Sequence, residues 1–210
     1  VVTSNTSGIS LSDLSKDLPQ EFLEKFFITH FFNPPRYMKL VEIISSSVTN
    51  KDMVKYTDSF LNEVLGKNVV HAKDTPNFIA NRIGVYGMMV TLDESQKRNL
   101  SIEDVDALTG TLIGRPKSAT FRTADVVGLD TMCFVNKTAY DKCVDDPERE
   151  IFNLPDYINK MVENNWLGQK TKQGFYKKID KGVIHSLDLK TLQYKPMKKK
   201  KYGAFAIGKE

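Results

Sequence analysis

The sequence predicts a protein of the α/β class, in which a remnant of a sheet is followed by a mainly α-helical domain and then by a C-terminal β-hairpin. Three patterns predict this order. Short apolar runs alternate with amphipathic segments up to residue 73, helical spacing dominates after Thr75, and apolar and polar residues alternate on either side of residues 188–191. The three expected parts are residues 1–74, 75–178 and 179–210.

Four apolar runs in the first part predict strands, and they are VVTSN, FFITHFF, YMKLVEII and NVVHAK. Two short helical segments follow the first run, and an amphipathic helix closed by Gly66 follows the third. Buried strands separated by helices are typical of a mostly parallel, helix-covered sheet. The chain opens directly on a strand and has no G-x-G-x-x-G turn among its 12 glycines, so we expect a fragment with only the last strands of such a sheet.

The second part is expected to be all-helical. Its first helix is predicted to begin at Pro76, with Asp74 or Thr75 as the N-cap. Proline is tolerated at the first helical position because the N–H group that it lacks would have no partner within the helix there. Ser101 and Asp104 predict a cap pair for the next helix. Further helices are predicted within residues 121–143 and 154–166.

Composition narrows the classes of function. The net charge is only +4, and the basic residues are scattered except for the run from Lys195 to Lys201, which is typical of a solvated tail or linker, so we expect no nucleic-acid partner. The sequence contains no run of about 18 apolar residues, so no membrane span is predicted. Cys133 and Cys143 are too few for a disulfide framework or a metal site, which favours a reducing, cytoplasmic location without a bound metal.

His30 is the first candidate for chemistry. It lies near the end of the apolar run FFITHFF, just ahead of Pro34 and Pro35, which force an extended turn. A strand that stops at a polar side chain presents it at the edge of the sheet, where α/β proteins keep their sites. The alternative is a core histidine whose ring bonds a backbone carbonyl group.

Glu42 strengthens the case for His30. It lies between Val41 and Ile43 in a segment that should be largely buried, and an unpaired buried carboxylate is costly. His30 is a suitable partner because a carboxylate can fix the tautomer of an imidazole and raise its basicity. A proline-forced reversal between two strands can place the pair side by side. The alternative partner is a lysine such as Lys39.

Two other polar positions are noteworthy. On the helix predicted from Pro76, Asn81 shares an apolar stripe with Phe78, Val85 and Met88, so its donor and acceptor must be satisfied inside the protein. The alternative is a structural cap for a neighbouring loop. After the first strand, a hydroxyl-rich segment that ends at Ser7 makes either a turn or a set of donors at the carboxyl edge of the sheet.

Taken together, the motifs resemble those of one family. The segments SNTSG, HFFNPPRYMKLVEII, DTPNFIANR, GRP, DVVGLDT and NNWLGQKTKQGFYK occur in the order and with the spacing of the L-3-hydroxyacyl-CoA dehydrogenases of fatty-acid β-oxidation. The resemblance extends from residue 1 to about residue 178. It implies that residues 1–74 are the last strands of a Rossmann-type, dinucleotide-binding domain and that residues 75–178 are the helical C-terminal domain.

The resemblance also implies roles for individual residues. His30 matches the catalytic base that takes the proton from the 3-hydroxyl group of the substrate while hydride leaves C3 for NAD, and Glu42 matches its carboxylate partner. The other matched catalytic residues, which hydrogen-bond the substrate and the catalytic groups, are Ser7 and Asn81. The matched cofactor-binding residues are Ser7, Asn33 and Lys170.

The resemblance further implies NAD as cofactor, an acyl-CoA substrate and a homodimer formed through the helical domain. With the upstream half absent, the fragment by itself is expected to be inactive. The segment after residue 178 resembles the linker of multifunctional β-oxidation proteins, in which an enoyl-CoA hydratase domain can follow. Two alternatives stay open: a structural or dimerisation module that uses TGTLIG and DVVGLD, and a 3-hydroxybutyryl-CoA or sugar-acid dehydrogenase of the same superfamily.

Overall fold

The computed structural model describes residues 1–180, 182–198 and 202–203, so part of the predicted basic tail lies outside the described residues. The chain divides into two compact units. The first consists of Val1–Gly84 with Asp141–Cys143, and the second comprises Val85–Tyr140 with the described residues from Val144 onward. The predicted boundary at residue 74 stays a prediction.

The first unit is built on a four-stranded sheet in the order β1-β2-β3-β4. Its strands are β1 (Val2–Ser4), β2 (Phe26–Phe31), β3 (Leu40–Ile44) and β4 (Asn68–Ala72). The two outer pairings are parallel, but β2 and β3 are antiparallel. The central reversal departs from the mostly parallel pattern because only residues 32–39 join the two strands, whereas a parallel crossover needs about a dozen residues or more.

Helices of this unit bury both faces of the two central strands, β2 and β3. They are α1 (Leu11–Ser15), α2 (Gln20–Leu23) and α3 (Lys51–Ser59), which continues as a π-helix over Phe60–Val64. Because side chains alternate along a strand, Phe26 and Ile28 pack with Leu11 and Phe78, whereas Phe27 belongs to a separate cluster on the side of α3. His30 lies on the same face of β2 as Ile28.

The helix predicted from Pro76 begins later, so this prediction is wrong at its start. Helix α4 spans Ala80–Lys97, and the left-handed backbone of Asn77 and Phe78, with φ of 63° and 51°, interrupts any helix before it. Asp74 does not cap α4 either. Its carboxylate accepts hydrogen bonds from the N–H groups of Leu11 and Ser12 at the start of α1, at 2.7 and 2.9 Å.

The second unit is mainly helical. Apart from most of α4, its helices are α5 (Ile102–Leu108), α6 (Phe121–Val127), α7 (Leu129–Lys142, whose last residues belong to the first unit) and α8 (Asp156–Glu163). The predicted cap pair of α5 is confirmed, because Ser101 and Asp104 form a reciprocal capping box. The core of the unit forms around Phe121, Leu129 and Phe175.

The predicted hairpin is present as β6 (Val183–Asp188) and β7 (Gln193–Pro196), and β5 (Tyr176–Asp180) extends it to a three-stranded antiparallel sheet. Buried Asp125 on α6 anchors the start of β5 by accepting hydrogen bonds from the N–H groups of Phe175 and Tyr176, at 2.8 and 2.9 Å. Burial raises the pKa of Asp125 to about 6. A Cβ atom at Gly174 would lie 2.1 Å from Asp125 Oδ1, so only glycine fits there.

None of the helices in the described part of the chain combines the length and the apolar character that a bilayer crossing requires.

Candidate active site

His30 and Glu42 face each other across two neighbouring strands. In the antiparallel register of β2 and β3, His30 pairs with Glu42, and directly opposite residues share one face with Cβ atoms about 5 Å apart. The Nδ1 atom of His30 lies 2.7 Å from Oε2 of Glu42. The two residues are 6% and 1% exposed, so the pair is buried. Lys39, the alternative partner, is exposed and takes no part in it.

The second carboxylate oxygen of Glu42 holds the start of α4. Oε1 accepts hydrogen bonds from the backbone N–H groups of Ile79 and Ala80, at 3.0 and 2.8 Å. These are donors that the first turn of a helix leaves unpaired, and the positive end of the helix dipole favours a carboxylate at this point. Glu42 therefore connects His30 to a helix that begins 38 residues further along the chain.

The environment of Glu42 determines its charge. Burial by itself raises the pKa of this carboxyl group, but the hydrogen bonds from His30, Ala80 and Ile79 favour the carboxylate and together lower the pKa below its usual value. An ionised carboxylate can only accept hydrogen bonds, so Nδ1 of His30 carries the proton of this contact. In the neutral imidazole, Nε2 is then a hydrogen-bond acceptor.

Nε2 of His30 is available to a ligand, since no described residue forms a hydrogen bond with it. Two aromatic rings restrict the orientation of the imidazole. The ring of Phe32 lies 4.4 Å from it between centroids, and the ring of Phe78 meets it edge-on at 5.8 Å. The site therefore combines a fixed tautomer, a fixed ring plane and one open nitrogen.

Ser7 and Asn33 lie at the same edge of the sheet. They follow the carboxyl ends of the parallel strands β1 and β2, and His30 is the penultimate residue of β2. Ser7 is half-buried and Asn33 is exposed, and within the part of the chain that the structure describes neither side chain forms a hydrogen bond. The segment that ends at Ser7 also contains Asn5, whose Oδ1 atom accepts a hydrogen bond from the N–H of Phe31 at 2.8 Å and so ties these two strand ends together, a contact that the sequence did not predict.

The other two predicted residues lie on helical segments. Asn81 is half-buried in the first turn of α4, next to the N–H groups that bind Glu42. Lys170 belongs to the second unit, where it lies in a 3₁₀-helix over Gln169–Thr171, and its ammonium group bonds both carboxylate oxygens of Asp130. Sequence reasoning did not predict Asp130 as its partner. The structure thus groups His30, Glu42, Ser7, Asn33 and Asn81 in one unit, and Lys170 in the other.

Comparison with known protein families identifies both halves of the chain. Residues 1–75 match the family model described as "3-hydroxyacyl-CoA dehydrogenase, NAD binding domain". Residues 78–178 match the one described as "3-hydroxyacyl-CoA dehydrogenase, C-terminal domain". The chain belongs to the 3-hydroxyacyl-CoA dehydrogenase family.

Curated family members are considerably longer than this chain. A probable 3-hydroxyacyl-CoA dehydrogenase of Bacillus subtilis is 51% identical over all 210 residues, which make up 26% of its length. A putative fatty acid oxidation complex trifunctional enzyme of Rickettsia prowazekii is 32% identical over 203 residues, covering 95% of this chain and 28% of that protein. The chain therefore spans about a quarter of the length of these relatives.

A solved structure of (S)-3-hydroxybutyryl-CoA dehydrogenase from Ralstonia eutropha has a similar fold. It is 28% identical in sequence and superposes with a TM-score of 0.74, over 86% of this chain and 61% of that one. This member of the 3-hydroxyacyl-CoA dehydrogenase family thus shares the fold of that protein over the aligned residues.

The donor set at the sheet edge fits the polar end of a nicotinamide. The Ser7 hydroxyl and the Asn33 amide have no protein partner among the described residues, and both can bond a carboxamide. No group of three histidine, cysteine or acidic side chains in the described ranges could hold a metal ion.

Proposed function

We propose that this chain carries the catalytic residues of an NAD-dependent dehydrogenase that oxidises L-3-hydroxyacyl-CoA to 3-ketoacyl-CoA in fatty-acid β-oxidation. The observation that carries the proposal is the buried contact of 2.7 Å between His30 Nδ1 and Glu42 Oε2, with Nε2 open. A histidine held in one tautomer by a carboxylate is suited to act as a general base near neutral pH. Membership of the family supports an acyl-CoA substrate.

In this proposal, His30 Nε2 removes the proton of the 3-hydroxyl group as the C3–H bond breaks and C3–O becomes a carbonyl. The nicotinamide, when bound, is the acceptor of the hydride. The proton stays on the imidazole, which becomes a cation beside the Glu42 carboxylate. Because that carboxylate is already ionised and fixed by Ile79 and Ala80, it stabilises the imidazolium without rearranging.

The remaining site residues have binding roles in the proposal. Ser7 and Asn81 hydrogen-bond the substrate oxygen and the catalytic groups, and the freedom of their side chains from other hydrogen bonds within the described chain supports this. Ser7 and Asn33 contact the nicotinamide from the sheet edge. Lys170 is also assigned to the cofactor, although its ammonium group pairs with Asp130 here. This last assignment depends on the family resemblance.

We further propose that the chain is a fragment of a multifunctional protein. Among the described residues, β1 is an outer strand of the sheet, and this position supports the pairing of another strand along its edge. The similarity to a putative trifunctional enzyme supports appended domains, such as an enoyl-CoA hydratase domain. Cys133 and Cys143 are both free thiols, which supports a cytoplasmic location.

An activity assay tests the dehydrogenase function. Acetoacetyl-CoA and NADH are supplied to the full-length protein and to this chain alone, and the loss of NADH absorbance is followed. We expect turnover only in the full-length protein, because the glycine-rich turn that holds the pyrophosphate of NAD is absent from this sequence. Longer 3-ketoacyl-CoA substrates in the same assay separate a short-chain enzyme, which the similarity to the Ralstonia enzyme favours, from one that acts on longer chains. If the intact protein reduces no 3-ketoacyl-CoA of any length, the proposal is wrong.

A second function, dimerisation through the helical domain, is favoured by exposed apolar side chains in the two predicted interface segments. In TGTLIG, Ile113 is 56% exposed, and in DVVGLD, Val126 and Val127 are 58% and 51% exposed. Large apolar side chains exposed on the surface of a folded unit are typical of interaction sites when they form a patch.

A charge placed in this surface is expected to weaken the dimer. Val126→Asp should raise the dimer dissociation constant by about tenfold or more, because the new carboxylate would be buried without a partner. Light scattering during size-exclusion chromatography over a range of concentrations measures this change. Val144→Asp, at a similarly exposed valine outside both segments, is the control. A wild-type protein that stays monomeric at every concentration would remove this second function.

A further inference from the structure

The loop between the strands of His30 and Glu42 is folded on itself. It spans residues 32–39. Within it, the carbonyl oxygen of Pro34 accepts hydrogen bonds from the N–H groups of Tyr37 and Met38, each at 3.0 Å. The loop begins with Phe32, whose ring packs on His30, and continues with Asn33. Phe32 directly follows the last residue of β2, whereas the position of the Asn33 amide depends on the conformation of the loop.

Lys67 binds the middle of this loop from outside it. Its ammonium group donates to the carbonyl oxygens of Pro35 and of Met38, the latter at 2.8 Å. Hydrogen bonds from a charged donor are stronger than neutral ones, and two acceptors on one turn restrict it more than one. No carboxylate competes for this ammonium group among the described residues, because its recorded partners are these two carbonyl groups.

The backbone around Lys67 is held on both sides. Gly66 has φ of 62°, which ends the preceding helical segment, and the N–H of Lys67 donates to the carbonyl oxygen of Leu61 at 2.9 Å. The next residue, Asn68, opens β4 and donates its N–H to the carbonyl oxygen of Lys39 at 2.8 Å. These backbone hydrogen bonds fix the position of Lys67 beside the loop, and its side chain is half-buried.

We propose that Lys67 is a positioning residue for cofactor binding, which acts by fixing the 32–39 loop and with it the amide of Asn33. This inference rests on the proposed function. The His30–Glu42 contact depends on the register of β2 and β3, which the ladder between these strands maintains without Lys67. Loss of the lysine should therefore weaken cofactor binding and leave the proton transfer intact.

The test compares three variants of the full-length protein. Lys67→Met keeps the length of the side chain and removes its donors, Lys67→Arg keeps a cation with donors, and Lys55→Met removes an exposed lysine of α3 as the control. For Lys67→Met we expect the KM for NADH to rise about tenfold while kcat stays within about twofold of the wild type. Lys67→Arg should recover part of the affinity, and Lys55→Met should match the wild type.

Hydrogen–deuterium exchange provides a readout that does not depend on turnover. The amides of Tyr37 and Met38 should exchange faster in Lys67→Met than in the wild type, and those of β2 and β3 should not change. Unchanged exchange, faster exchange with an unchanged KM, or a loss confined to kcat would each overturn the assignment. A wild-type protein without dehydrogenase activity would instead refute the proposed function, whereas an active wild type with an unaltered variant would overturn only the role of Lys67.

Discussion

Replacing His30 with glutamine is expected to lower kcat by a factor of about 10²–10⁴, the usual contribution of a positioned general base. Glutamine has a similar reach and can still donate a hydrogen bond to Glu42, so the buried carboxylate keeps a partner. It cannot accept a proton at neutral pH. The KM values should change little because the substitution removes the proton acceptor and leaves the binding groups at Ser7 and Asn33 in place.

The chain offers a matched control for this variant. His71 on β4 also contacts a carboxylate, with Nε2 at 2.5 Å from Asp58 Oδ2, but this pair is exposed. His71 lies opposite Ile43 in the β3–β4 register, so its side chain is on the other face of the sheet from Glu42. His71→Gln should therefore keep full activity. Steady-state kinetics on the full-length protein decide the matter, and a His30→Gln enzyme within tenfold of the wild-type kcat would show that another group takes the proton.

The central contact of the site could be predicted from sequence because its causes are local. Two apolar runs joined through Pro34 and Pro35 predict a reversal, and a reversal can place His30 of one strand beside Glu42 of the other. A buried carboxylate without a partner is unfavourable, so Glu42 was expected to pair with His30 or with a lysine such as Lys39, and the structure shows the contact with His30. The same reversal is why the sheet is less parallel than the alternation of strands and helices suggested.

The start of α4 could not be predicted because its cap comes from a distant strand. Locally, Asp74 and Pro76 have the residue types of a helix start, and those preferences favoured the earlier position. In the folded protein Asp74 caps α1 instead, and Glu42 supplies the acceptor for the N–H groups of Ile79 and Ala80. Tertiary hydrogen bonds of this kind outweigh local propensity, which differs by only a fraction of a kcal/mol between residues.

The contacts of Asn5, Asp130 and Lys67 were not predicted, for a related reason. No helical or strand periodicity in the sequence indicates a partner for any of these three polar residues. Their partners are backbone groups of another strand or loop in two cases and the side chain of Lys170 in the third. Only the three-dimensional arrangement of the chain brings such pairs together.

Glu42 links the chemistry to the fold, so its removal should have a large effect on stability. Glu42→Ala is expected to lower the free energy of unfolding by about 3–5 kcal/mol, the usual cost of removing one member of a buried polar pair. The loss has two parts, because His30 loses its partner and the N–H groups of Ile79 and Ala80 lose their acceptor. Glu42→Gln should cost less, since an amide oxygen can still accept the hydrogen bonds at the start of α4.

The two variants should also differ from the wild type in their pH dependence. The pKa of Glu42 is lower in the folded protein than its usual value of 4.5, so the unfolded chain takes up the proton first as the pH falls. The contribution of Glu42 to stability is therefore complete above pH 4.5 and is lost progressively as the pH falls through the lower, folded pKa. Urea denaturation of the wild type and Glu42→Gln at a series of pH values measures this as a stability difference that shrinks on the acid side. A difference that is independent of pH would mean that folding does not shift the pKa of Glu42. A difference that grows on the acid side would mean that the Glu42 carboxyl group is protonated in the folded protein, and Nδ1 of His30 would then have no fixed tautomer.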